Sequence, residues 1–293
     1  MKKILFPTDF SSIAAESVPV AAQLARLFNT ELHLVHVLSP VLPGYTPRLH
    51  RAEDQYVQAL GLVEQAFDEL LLLPCLTGIR VHTHVLTGTD PVDVLDDDRF
   101  ANADLLVMSS TGASGLKEMF LGSNAEHLIR EAKMPVLVLK NPPHYLDLKT
   151  VVFASDFQDH YYASINLLKD LIDAFDYPAV HLLFVNTFSH FVPTHEIRPR
   201  MESFVSQYGL SGCTINQLDE FDVETGVLAF AHEKKADLIV LGTHGRHGLR
   251  HLLQGSVAEA VVNHASIPVL ILPLKTKEHA PMVILDGLGA GLI

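Results

Sequence analysis

Residues 236–264 read ADLIVLGTHGRHGLRHLLQGSVAEAVVNH, an apolar run, a glycine-rich loop and a helical pattern in that order. Leu238 to Leu241 has the composition of a strand buried on both faces. It leads into Gly242-x2-Gly245-x9-Gly255-Ser256. Glycines at such positions tolerate positive φ and let another group approach the backbone closely. Ser256 then opens a pattern of Val257, Ala260, Val261 and His264 at helical spacing. The first N–H groups of a helix lack intrahelical partners and carry partial positive charge, so this start is a natural anion site. No Lys-Ser/Thr pair follows the glycines, which excludes a Walker A loop.

The same arrangement occurs earlier in the chain. SSTGASGLKEMFLGSNAEHLI (109–129) aligns with GTHGRHGLRHLLQGSVAEAVV (242–262), LFPTDFS (5–11) with VFASDFQ (152–158), ELHLVHV (31–37) with AVHLLFV (179–185), and MPVLVL (134–139) with IPVLIL (267–272). The offset shrinks by roughly fifteen residues midway through the second copy, which shortens its second helix near Ser189 to Ser211. Short apolar runs alternating with amphipathic stretches predict a parallel sheet covered by helices. In the first copy strands are expected near 2–6, 32–38, 80–86, 104–109 and 135–139, and helices near 11–28, 48–72, 90–101 and 122–132. The boundaries predict three segments: 1–141, 142–275 and a tail, 276–293, without counterpart in the first copy. Asn141-Pro142-Pro143 is the expected linker, because prolines continue neither strand nor helix.

With these strand signatures in register, the glycine spacing resembles the signature of the universal stress protein family, in its ATP-binding branch. KKILFPTDFS looks like that family's first strand ending in an aspartate, ELHLVHV like its second strand and KMPVLVL like its fifth. The resemblance covers almost the whole chain, twice. It implies two open, doubly wound five-stranded parallel sheets with helices on both faces, Rossmann-like, packed as an internal pseudo-dimer. It further implies a stress-response protein that binds ATP, with or without Mg2+, and turns over little or none. In the second copy the implied nucleotide residues are Asp156, Val185, Gly242, Gly245, Arg246, Gly255, Ser256 and Val257. In the first they are Asp9, Val37, Ser109, Gly112, Gly122, Ser123 and Asn124. Family members pair through their fifth strands, here Val136–Leu139 and Val269–Leu272, which would bring Val138 near Ile271. Dimerisation of the whole chain through other surfaces stays open. So do two other functions: a slow ATPase or nucleotide-transferring enzyme, and a scaffold that acts through protein contacts alone.

Each assignment has a plainer alternative. Asp9 and Asp156 suit an Asx-type bond; as acceptors they equally suit ribose hydroxyls, an adenine amino group or a metal. Val37 and Val185 read as core valines whose backbone, not side chain, would meet the base. Ser123 with Glu126, and Ser256 with Glu259, fit capping boxes that need no ligand. The first copy departs from the signature, with Ser109 where the second has Gly242, and a Cβ there obstructs close approach. Arg246, His247, Arg250 and His251 cluster around the second loop, against Ala113 and Lys117 in the first, so the second site is the expected nucleotide holder.

The formal net charge of −13 argues against a general nucleic-acid or anionic-membrane surface. Two cysteines at non-equivalent positions, Cys75 and Cys213, form neither a disulfide framework nor a CxxC site. The N-terminal apolar run before Pro7 is too short for a signal segment, no stretch is long enough to span a membrane, and a cytoplasmic location is the expectation. Among seventeen histidines, His82 and His84 alternate on one strand face and His247 with His251 has helical spacing. Neither pair has a third ligand in its own motif, so no metal site is expected. No HExxH, GxSxG or Walker B pattern is present, so no catalytic residue is assigned.

Overall fold

In the computed structural model the described residues are 1–39, 49–88, 90, 92–109, 122–158, 164–244 and 257–274. The first half runs β1 (Lys3–Pro7), α1 (Ser12–Leu27), β2 (Glu31–Leu38), α2 (Leu49–Leu71), β3 (Val81–Thr87), α3 (Asp93–Asp96), β4 (Leu105–Ser109), α4 (Ser123–Glu131) and β5 (Val136–Leu139). The second runs β6 (Thr150–Ala154), α5 (Ser164–Ala174), β7 (Ala179–Thr187), α6 (Thr194–Tyr208), β8 (Thr214–Glu220), α7 (Val223–Lys234), β9 (Leu238–His244), α8 (Val257–His264) and β10 (Val269–Leu274). The shortened second helix is confirmed: α6 has 15 residues where α2 has 23.

The strands form one ten-stranded sheet in the order β3-β2-β1-β4-β5-β10-β9-β6-β7-β8. The expectation of two separate sheets is corrected here. The two fifth strands pair with each other, so each five-stranded sheet continues into its copy instead of ending at an edge. Every pairing is parallel except that of β5 with β10. Backbone hydrogen bonding across this seam covers two apolar edges that would otherwise invite association. The register sets Val138 opposite Val269 and Ile271 opposite Val136, two residues from the expected meeting of Val138 with Ile271.

Alternation along each strand sends side chains to two cores. Ile4, Phe6, Leu34, Val107 and Leu137 meet α1 and α2, then merge with Phe153, Leu182, Val240 and Leu270 against α5 and α6. Leu5, Val35, Met108 and Val138 face α3 and α4 and merge with Val152, Leu183 and Ile271 against α7 and α8. Both cores therefore cross the seam. A fully buried leucine or phenylalanine contributes about 1.5–3 kcal/mol. The connection through Asn141-Pro142-Pro143 is docked: the Gln23 amide donates to Leu146 O at 2.9 Å, and Leu146 N donates back to Gln23 Oε1 at 2.7 Å.

The expected helix over 90–101 is broken. Asp97 is extended at φ −79°, ψ 122°, and its carboxylate accepts from both the Arg99 N–H and the Arg99 guanidinium. That local bonding competes with the helix, leaving the single-turn α3 and a 3-10 turn at Asp98–Phe100. His33 is the bulkiest buried polar side chain among the described residues, 7% exposed. Burial first, then the charges of Lys3, His84 and His82, lower its pKa to about 4.

Candidate functional site

The strand order reverses direction between β1 and β4, and again between β6 and β9. In open α/β sheets ligands bind beyond the carboxyl ends of strands at such points. In the second half, β6 ends at Ala154, which lies in register with Leu241 of β9 and Leu183 of β7. Beyond it the chain makes a tight turn. Ser155 N donates to Leu183 O at 3.2 Å, Phe157 adopts a left-handed φ of 55°, and its N–H donates to Ser155 Oγ at 2.9 Å. The Phe157 ring is buried against Phe153 and Phe204, with centroids 6.0 and 5.1 Å away, and this pins the turn. Asp156 stands at its apex.

The first copy repeats the device. Thr8 N donates to Val35 O at 2.9 Å, Phe10 has φ 59°, and Phe10 N donates to Thr8 Oγ1 at 3.0 Å. Its ring packs on His36 and Phe67. In both copies the aspartate Oδ1 accepts the N–H two residues on, from Ser11 to Asp9 and from Gln158 to Asp156, each at 3.0 Å. The Asx-type bond is thus realised at both aspartates. Helix capping is left to Ser11, whose hydroxyl accepts from Ala14 N. A bond that uses Oδ1 orients the carboxylate without consuming its capacity for further donors.

Val185 is placed by strand period. Leu183 turns its C=O toward β6, so Val185, two residues on, turns its N–H and C=O the same way, past the last β6 register pair. Its side chain is buried, 8% exposed, as expected of a core valine. Val37 holds the matching place beyond the Pro7–Val35 pair. Gly226 of α7 lies against Val185 so closely that an added Cβ would sit 2.6 Å from Val185 Cγ1. Because valine cannot swing that methyl away freely, Gly226→Val is expected to lower stability by about 1–3 kcal/mol. A urea midpoint unchanged from the parent would contradict this.

The far wall of each crevice is the end of β4 or β9. Gly242 is a strand residue in register with Leu272, and β9 continues to His244, so Gly242 belongs to the sheet and not to the loop. Ser109 closes β4 opposite Leu139. The loop residues Gly112, Gly245, Arg246, Gly255 and Ser256, with His247, Arg250, His251, Ala113 and Lys117, lie outside the described residues, as does 275–293. The helices that follow are described. Gly122 is the N-cap of α4 at φ −64°, with no side-chain cap bond, and a Cβ there would meet nothing within 4 Å. The expected cap by Ser123 is therefore corrected: Ser123 is the first helical residue. Gly122, Ser123 and Asn124 are all exposed. Val257, the counterpart of Asn124, is exposed and is the first described residue of α8. Glu259, expected in a capping box, is buried and accepts from the Arg130 guanidinium at 3.1 Å, tying α8 to α4.

One residue near the second site escaped the sequence reading. Arg200 of α6 donates to the Asp156 carbonyl at 3.4 Å. It lies in the segment where the copies differ, so no repeat signal could mark it.

Comparison with known proteins agrees with this geometry. A curated universal stress protein of Methanocaldococcus jannaschii is 34% identical over 150 residues, covering 48% of this chain and 83% of its own. One from Mycolicibacterium smegmatis is 25% identical over 297 residues, covering 92% of this chain and 96% of its own. The crystal structure of a universal stress protein from Archaeoglobus fulgidus shares the fold at TM-score 0.65 and 19% identity, covering 92% of this chain and 98% of its own. A universal stress protein structure from Pseudomonas aeruginosa does so at TM-score 0.61 and 20% identity, with 94% of each chain covered. The family model described as "Universal stress protein family" matches residues 1–140 and 217–273. With the strand order, the paired aspartate turns and both halves matched, this chain belongs to the universal stress protein family.

Proposed function

We propose that the chain binds ATP in the crevice beyond β6 and β9 and uses it as a regulatory ligand, with little or no turnover. The observation that carries this reading is the topological switch point, flanked by the Asp156 turn on one side and by Gly242 and the start of α8 on the other. The groups there fit the parts of a nucleotide. The Val185 backbone offers a donor and an acceptor to a base edge, and the Asp156 carboxylate accepts from ribose hydroxyls. The glycine loop and the start of α8 supply N–H groups to phosphates. Bound there, ATP would present its phosphates to Arg246 and Ser256.

The second half is the favoured site, by Gly242 against Ser109 and by the basic cluster in its loop. Hydrolysis requires a water held in line with the γ-phosphate, and no residue is assigned to that task. Denaturing the purified chain and identifying the released small molecule by mass tests the proposal. ATP is expected. Recovery of ADP instead would favour turnover, and a chain that releases no nucleotide and takes up none when ATP is added would refute it.

A further inference from the structure

At the opposite end of the sheet from the crevice, in the first half, three ligand-type side chains converge. The two-residue period places Glu31 and His33 on one face of β2, and strand register sets His82 of β3 opposite His33. His33 Nε2 lies 3.5 Å and His82 Nε2 3.7 Å from the same oxygen, Glu31 Oε2. All three donor atoms fall within 4.8 Å of one another. Tetrahedral Zn2+ with bonds of about 2.0–2.1 Å holds its ligands about 3.3–3.5 Å apart. Two edges of the triangle are thus near their final length, and His82, with its side chain 47% exposed, has room to close the third.

A second observation points to a ligand. His33 Nε2 is buried and makes no hydrogen bond, in a side chain only 9% exposed. Glu31 Oε2 at 3.5 Å falls outside hydrogen-bond geometry, and a buried nitrogen so poorly satisfied is costly. Its other nitrogen, Nδ1, lies 3.0 Å from His84 Nε2. When Nδ1–H donates to His84, the Nε2 lone pair faces Glu31 and His82, the outer-shell arrangement usual for a metal-bound histidine. Arg80 Nη1 is 3.4 Å from Glu31 Oε1, which leaves Oε2 toward the histidines. Phe100 closes the inner wall, edge-on to His33 and His84. The second copy provides the contrast. There Ala179 replaces Glu31 and Thr214 stands opposite His181 where His82 stands opposite His33, so two of the three ligand positions are lost, while His181 Nδ1 lies 2.6 Å from Thr214 Oγ1.

We infer that Glu31, His33 and His82 form a Zn2+ site with an open fourth position toward solvent, which ties the edge strand β3 to β2. The stretch that holds His82 and His84 has no third ligand of its own, so sequence spacing predicts no metal site there. The missing ligands are on the neighbouring strand, and only register brings them together.

The test uses the full chain, stripped with a chelator and titrated with Zn2+ by calorimetry, then with Co2+ followed by visible absorption. One ion per chain is expected, with the bands of four-coordinate Co2+. His82→Ala and Glu31→Gln, both at partly exposed positions, should each weaken Zn2+ binding at least about 10-fold and abolish those bands. His195→Ala, an exposed histidine of the other half, should change nothing, and circular dichroism should show all three variants folded. Absence of stoichiometric uptake, or uptake that survives either ligand substitution, would overturn the inference.

Discussion

Leu270→Asp is expected to destabilise the chain by about 4 kcal/mol or more, with the urea midpoint falling accordingly. Leu270 is 1% exposed and sits in β10 opposite Leu137 of β5, at the antiparallel seam where the two copies become one sheet. Its side chain enters the core shared by helices of both halves. The substitution removes a buried leucine and leaves a carboxylate in a core that, among the described residues, is built mainly of leucines, valines and phenylalanines. Ser266→Asp, an exposed position four residues away, is the control and should move the midpoint within about 0.5 kcal/mol. Equal effects from the two substitutions would mean that the seam is not a buried part of the folded chain. The seam also determines how binding must be measured. Separating the halves would uncover β5 and β10 as apolar edges, so nucleotide titrations belong to the full chain.

The second large effect concerns the glycine loop. Gly245→Val together with Gly255→Val is expected to reduce ATP binding by at least about 100-fold, the loss of two or more phosphate-to-backbone bonds at about 1.5–3 kcal/mol each. Both changes put a branched side chain where a phosphate must approach N–H groups. The fold should survive, because the strands and helices flanking the loop keep their packing. The matched changes in the first copy, Gly112→Val and Gly122→Val, are expected to leave affinity within about twofold. Gly122 supports the design of that control: its φ is ordinary and its Cβ position is open, so valine there costs the helix start little.

Most of the architecture was legible because the sequence states it twice. The strand runs 105–109 and 238–241 and the shortened second helix follow from apolar periodicity and from aligning the copies, whereas the pairing of the fifth strands was implied by the family resemblance. What escaped depends on interactions that periodicity does not encode. Asp97 ends a helix by bonding to Arg99, a local competition hidden inside an acidic run. Gly242 reads as the first loop glycine yet is a strand residue, because β10 is long enough to carry the ladder to His244. Ser123 reads as a cap, but Gly122 takes that place. At the site, the aspartate positions were legible from DFS and DFQ. The direction of the Val185 backbone was not, since it follows from which residue of β7 faces β6. The Glu31, His33 and His82 cluster was invisible for the same reason: its members are dispersed along the chain and meet only through register.

The most direct measurement of the central claim is a calorimetric titration of the full-length chain with ATP, repeated on the two pairs of glycine variants. The account predicts one ATP per chain, bound by the parent and by the first-copy pair, and lost in the second-copy pair with its circular-dichroism spectrum unchanged. Binding that survives the second-copy changes, or that disappears with the first-copy changes, would contradict it.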